Sequence, residues 1–99
     1  MDLGDIQEKI ENGRFRLSLH AELEAETDNL NIAQIVEAIL NGKILEQYDD
    51  TGRGHSCLIV GFTDEVPIHI VCGMRDDNVI IVTVYEPGPP KFLDPWTRG

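Results

Sequence analysis

The sequence predicts an α+β domain, with N-terminal helices followed by a four-stranded antiparallel β-meander. Three observations lead there. Residues 55–87 pack three apolar, β-branched runs between short polar breaks, and nothing else in the chain is so strongly patterned. The connections between these runs are tight turns, too short for the crossover that parallel strands need. Upstream, Ile32, Ile35, Val36, Ile39 and Leu40 recur at helical spacing, giving one apolar stripe that must lie on something apolar.

Size and composition bound the rest. The chain has 99 residues, 41% of them hydrophobic and 26% charged, which suits one globular domain. Residues 1–87 read as that single domain, and residues 88–99 as a Pro-rich C-terminal tail. No run approaches the roughly 18 apolar residues of a membrane span. The acidic start, MDLGDIQEKI, is neither a secretory signal nor a transit peptide, so a cytoplasmic location is expected. Cys57 and Cys72 make no disulfide framework. Eight basic residues against 18 acidic ones give a net charge of −10. Nucleic acid is disfavoured as a partner, since its binders supply affinity through a basic footprint. Acidity of this kind keeps a small domain soluble.

In chain order, Leu3, Ile6 and Ile10 share a helix face over residues 3–12, with Asp2 as N-cap and Gly13 as the left-handed residue after the end. Residues 14–17 alternate and allow a very short strand. Ser18 caps a helix over 19–27, whose apolar side is thin and whose acidic side, with Glu22, Glu24, Glu26 and Asp28, reads as a solvated face. Asn31 and Gln34 form a variant capping box, and Leu30 and Ile35 a hydrophobic staple, for the helix that Gly42 ends. Strands follow at 43–49, 56–62, 68–72 and 79–85, the last two joined by a loop over 73–78. The central strands are apolar on both faces, so both sheet faces must be covered. The helix at 31–41 covers one. The helix at 19–27, a partner subunit or the tail covers part of the other. Phe92, Leu93 and Trp96 in the tail either pack back on the sheet or dock on another chain.

Register follows from turn geometry. A two-residue loop at Asp64–Glu65 sets Cys57 opposite Cys72 and Val60 opposite His69. A first hairpin closed around Gly52–Arg53 sets Tyr48 opposite Cys57, with His55 and Glu46 nearby. The thiols then read as packed core groups. His55, Cys57, His69 and Cys72 have zinc-ligand chemistry but not its geometry, because His69 and Cys72 lie three apart on a strand and point to opposite faces. No metal and no cofactor is called for. His69 is the polar residue of an apolar strand, with Thr83 expected opposite or near it and Tyr85 on the same face; such a set either satisfies itself or handles protons and small anions. His20 lies at the start of the second helix, where free N–H groups gather. Walker loops, nucleophile elbows, dinucleotide fingerprints and zincin motifs are absent from the sequence.

Ser18-x-His20-Ala21 opening a short helix, the capped amphipathic helix after it, and a meander ending Ile80-Ile81-Val82-Thr83-Val84-Tyr85-Glu86-Pro87 together resemble the bacterial domain-of-unknown-function family 4258, over roughly residues 16–87. The resemblance implies a RelE-toxin-like fold, helices followed by a curved antiparallel sheet, with no established activity. It carries His20, Thr83 and Tyr85 as family-like positions. It also implies arginines four and eight residues after the histidine, where this chain has Glu24 and Asp28. His20, Glu24 and Asp28 share a helix face and would repel the phosphate that a His-Arg-Arg face could hold.

Two function classes follow. The first is a protein-interaction module, toxin–antitoxin-like or homodimeric, suggested by the acidic surface and the proline–tryptophan tail. The second is a metal-independent, RelE-like endoribonuclease, with His20, Arg53, His69 and Tyr85 as its candidate acid–base and phosphate-binding groups. A small-ligand pocket between sheet and tail is a weaker third.

Overall fold

The helices begin where the sequence supplies caps. The computed structural model describes residues 1–50, 52, 54–88 and 92–98. Asp2 accepts from Asp5 N at 2.8 Å and opens α1 (Leu3–Glu11); beyond its end Gly13 takes φ +72°. Ser18 Oγ accepts from Ala21 N at 3.1 Å and opens α2 (Leu19–Thr27). Asn31 and Gln34 bond reciprocally at 2.9 Å, a full capping box for α3 (Ile32–Leu40). Gly42, by contrast, is no left-handed cap. Its value is space: a Cβ there would lie 2.6 Å from Ile59 Cγ2 and 2.7 Å from the Ala38 carbonyl oxygen.

The sheet is the expected meander with one addition. Strands β2 (Lys43–Tyr48), β3 (Ser56–Thr63), β4 (Val66–Arg75) and β5 (Asn78–Tyr85) run antiparallel in sequence, and β1 (Phe15–Leu17) joins the β5 edge in parallel, giving the order β1-β5-β4-β3-β2. Three residues carry too little pattern to announce a strand's place. β1 holds its place through the ladder, with Val79 N donating to Arg14 O and Ser18 N to Ile81 O, each at 2.9 Å.

Two hairpins turn on paired acidic residues. Asp64 and Glu65 have φ of 49° and 66°, and Asp76 and Asp77 have 51° and 64°. Consecutive left-handed residues match the right-handed twist of the flanking strands, and Asp tolerates that region better than most side chains. The first turn sets Cys57 opposite Cys72 and Val60 opposite His69, as expected. The second shrinks the expected 73–78 loop to two residues and lengthens β4 to Arg75.

One register expectation is corrected and another is sharpened. Cys57 faces Gln47, not Tyr48, which lies opposite Ser56. The strands part at Tyr48 and Ser56, so the connection is longer than a hairpin around Gly52–Arg53; the bulge between Ile44 and Glu46 lies farther along and shifts only the pairing of Lys43 and Ile44. A slip of one residue moves a side chain to the other face. Thr83, expected opposite or near His69, is its diagonal neighbour and faces Val71, while Tyr85 stands directly opposite His69; the two-residue turn at Asp76–Asp77 and a one-residue bulge near Val82 together set this offset.

The inner face of the sheet carries the core. Cys57, Ile59, Ile68, Ile70, Cys72, Ile81 and Val84 pack with Ile6, Ile10, Ile35 and Ile39 from α1 and α3, and with Ala21 and Ala25 from α2. α3 lies across β3. Both thiols are fully buried and free, and burial pushes Cys57 up to about 11 and Cys72 further still. Neither thiol is therefore expected to react with a disulfide reagent near pH 8 in the native protein, while both titrate once guanidinium unfolds it; fast labelling of the folded chain would contradict the packing.

The outer face is half covered by the tail. Strands β6 (Phe92–Asp94) and β7 (Thr97–Arg98) form a small hairpin. Its Trp96 ring stands 6.3 Å from Phe62, and Arg98 donates from Nε and Nη2 to both Glu46 carboxylate oxygens at 2.6 Å. The tail thus packs back on its own sheet, against Phe62, Glu46 and His69. The Arg98 bonds, then the one from Tyr48, draw Glu46 from 4.5 down to about 2, while burial and this carboxylate push Tyr48 up to about 12. A carboxylate whose folded value lies below its unfolded one stabilises fully above the unfolded value and loses that contribution as pH falls through the folded one. Melting temperature is accordingly expected to drop between about pH 5 and about pH 2, and Glu46→Gln to flatten that part of the profile. An unchanged profile would mean that the pair contributes nothing.

Candidate functional site

α2 lies along the part of β5 that β1 does not reach. A strand edge left there would expose unpaired N–H groups. Two acidic side chains of α2 supply the acceptors: Glu24 Oε1 takes Val84 N at 3.1 Å and Asp28 Oδ2 takes Glu86 N at 3.2 Å. The acidic side of this helix is thus only partly a solvated face. The i, i+4 spacing marked His20, Glu24 and Asp28 as one face, but nothing local showed that a sheet edge would need them.

Between helix and strand lies a hollow of about 370 Å³, lined by His20, Leu23, Glu24, Thr27, Asp28 and Tyr85. His20 is exposed on its rim, with Nε2 3.2 Å from Glu24 Oε1. Tyr85 forms the inner wall. Its hydroxyl lies 3.2 Å from His69 Nδ1, with the two rings 5.3 Å apart, and His69 Nε2 lies 2.7 Å from the Pro95 carbonyl oxygen. A carbonyl only accepts, so Nε2 carries a proton, and in the neutral ring Nδ1 accepts the Tyr85 hydroxyl. Burial raises the Tyr85 phenol, which stays protonated at neutral pH.

The candidates are therefore partly gathered. His20 and Tyr85 share one hollow, and fully buried His69 stands behind Tyr85, reached through it. Arg53 lies outside the described residues. Thr83 is not the partner of His69; Tyr85 and Pro95 are. The sequence reading missed the Pro95 carbonyl and the Glu46–Tyr48–Arg98 cluster, because the tail's docking partner was open.

Chemically, the hollow offers a hydrogen-bonding phenol, an exposed imidazole, two carboxylates and one leucine. None of its lining side chains is a permanent cation, so it favours positively charged or apolar groups over phosphate. Among the described residues no cluster of three or more His, Cys, Asp or Glu side chains is arranged to hold a metal ion, and no helix is long and apolar enough to cross a membrane.

No curated protein and no solved structure matches the chain. The model of one family, described as Domain of unknown function (DUF4258), matches residues 17–86. That span runs from the last residue of β1 past the end of β5, taking in α2, α3, the whole meander and every wall of the hollow. With most of its length under that match, the chain belongs to the DUF4258 family of domains of unknown function.

Proposed function

We propose that this domain is a protein-interaction module that presents α2 to a basic, apolar-bearing segment of a partner. One observation carries the reading: Leu19 and Leu23, 71% and 56% exposed, lie one turn apart on a helix whose buried side consists only of Ala21 and Ala25. Water-exposed leucines at i, i+4 beside an acidic hollow offer an apolar stripe and complementary charge to one ligand. The net charge of −10 favours encounter with a basic partner in the same way. The ribonuclease reading has weaker support. It needs a cation where the scissile phosphate would sit, and Glu24 and Asp28 line the hollow instead.

The test uses an amphipathic lysine–leucine model helix as probe, titrated into the wild-type domain and a Leu19→Ser/Leu23→Ser variant. The variant keeps the net charge, so bulk attraction is the same in both. Saturable, salt-sensitive binding that weakens about tenfold in the variant supports the reading. Equal binding by both proteins, or binding of single-stranded RNA at low salt in place of the peptide, overturns it.

A further inference from the structure

The half of the outer sheet face that the C-terminal hairpin leaves open carries a second, unassigned feature. Register places Arg16, Ile80, Gly73, Ser56 and Tyr48 in one row across all five strands. At the β2–β3 end a hollow of about 520 Å³ is walled by Tyr48, Asp49, His55 and Ser56. At the β1–β5 end a smaller one of about 130 Å³ is walled by Arg16, Met74 and Arg75. The two share Gly73 and Val82 as floor, so they are the ends of one groove.

The ends differ in charge. Arg16 and Arg75 stand far apart in sequence, and the β1–β5–β4 pairing brings both to one hollow. In a chain with 18 acidic residues, neither side chain has an ion pair or hydrogen bond among the described residues, whereas Lys9, Arg14 and Arg98 are each paired to a carboxylate. The opposite end carries Asp49, with His55 and Tyr48 beside it. Asp50 shapes that loop by accepting from Gly52 N and Gly54 N at 2.8 and 2.9 Å. The floor is flat because Gly73 has no side chain: a Cβ there would meet nothing closer than His55 O at 3.8 Å.

The geometry points to this groove as a binding site for a short extended peptide with an acidic group at one end and a basic group at the other. Two arginines hold a carboxylate, and Asp49 holds an ammonium or guanidinium. The span fits. Four inter-strand steps cover about 19 Å, the length of about five or six extended residues. An extended backbone lies on a flat floor, and Val71, Ile80 and Val82 give its side chains apolar contact. The site is independent of the α2 surface and shares no residue with it.

Three hexapeptide pools test the inference: Lys-X4-Glu, Lys-X4-Lys and Glu-X4-Glu, titrated into the intact domain with amide shifts of Gly54 and Gly73 as the local readout. The mixed-charge pool is expected to bind saturably and about tenfold more tightly than either other pool. Arg16→Gln/Arg75→Gln and Asp49→Asn each remove that preference. Gly73→Val is the decisive variant. Its site has open space and ordinary backbone, so the fold persists while the floor is blocked, and mixed-pool binding is lost. Equal binding of Lys-X4-Lys shows only attraction to an acidic protein and overturns the assignment. Tight binding of Glu-X4-Glu, or of inorganic phosphate alone, shows a simple anion patch and overturns it as well. So does concentration-dependent dimerisation abolished by Gly73→Val, which makes the face a contact between copies. Absence of any saturable shift disposes of the site.

Discussion

Gly61→Ala is expected to leave the domain unfolded or destabilised by about 3 kcal/mol or more, beyond the usual range for an added methyl group. An alanine Cβ at this position would sit 1.7 Å from the Ala38 carbonyl oxygen and 2.4 Å from its carbonyl carbon. Those atoms belong to the α3 backbone, so no rotamer change relieves the overlap, and α3 must lift from β3. The core beneath that contact includes Ile35, Ile39 and Ile59, each essentially inaccessible to water. Denaturant unfolding measures the loss. A second variant separates the cause from general sensitivity: Ala38→Gly does not rescue Gly61→Ala, because the obstructing atoms are main chain. Gly61→Ala at wild-type stability would mean that α3 sits farther from β3 than this structure has it.

His69→Ala is expected to cost about 3 kcal/mol, through a lost buried polar side chain and the void it leaves. It removes the partner of two groups at once, the Tyr85 hydroxyl and the Pro95 carbonyl oxygen. The second bond ties the C-terminal hairpin to the middle of β4, so the hairpin should loosen with the mutation. Trp96 is the sole tryptophan and reports this directly. Its emission is expected to shift to the red, and cleavage between the meander and the hairpin to accelerate. Deleting residues 89–99 should reproduce part of the destabilisation, and the deletion and His69→Ala should not add, since they break one shared contact. Additive effects would show that His69 acts independently of the tail.

Most of the fold was legible because its signals are local. Asp2, Ser18 and Asn31 cap helices through neighbours three residues away, and the α3 stripe needs only 3.6-residue periodicity. The Asp64–Glu65 turn was enough to pair Cys57 with Cys72 across the hairpin. Where a local signal was ambiguous, the reading failed by small steps with large consequences. The 49–55 connection has two glycines and no unique closure, and one residue of slip exchanged Tyr48 for Gln47 beside Cys57. That slip brings Tyr48 to the outer face, where it donates to Glu46 and lies near Arg98. The two-residue Asp76–Asp77 turn and the one-residue bulge near Val82 together set Tyr85, not Thr83, opposite His69.

The candidate site was legible in its members and not in its assembly. His20, Glu24 and Asp28 formed a face by spacing, His69 stood out as the polar residue of an apolar strand, and Tyr85 was placed on the same face. That the helix face and the strand end form one hollow depends on α2 lying along β5, a choice made by an unpaired strand edge that needed acceptors. The meeting of Arg16 with Arg75 depends in the same way on a three-residue parallel strand.

By itself, then, the sequence determined the fold class, the helix boundaries, the antiparallel order of β2 to β5 and the identity of most core residues. These depend on capping, periodicity and turn chemistry over a few residues. Only the tertiary structure decided where β1 and the tail dock, which face receives Tyr48, and which polar side chains meet. Those outcomes are set by contacts between segments distant in the chain, where one unpaired edge, one bulge or one missing Cβ selects among arrangements that local patterning leaves equivalent.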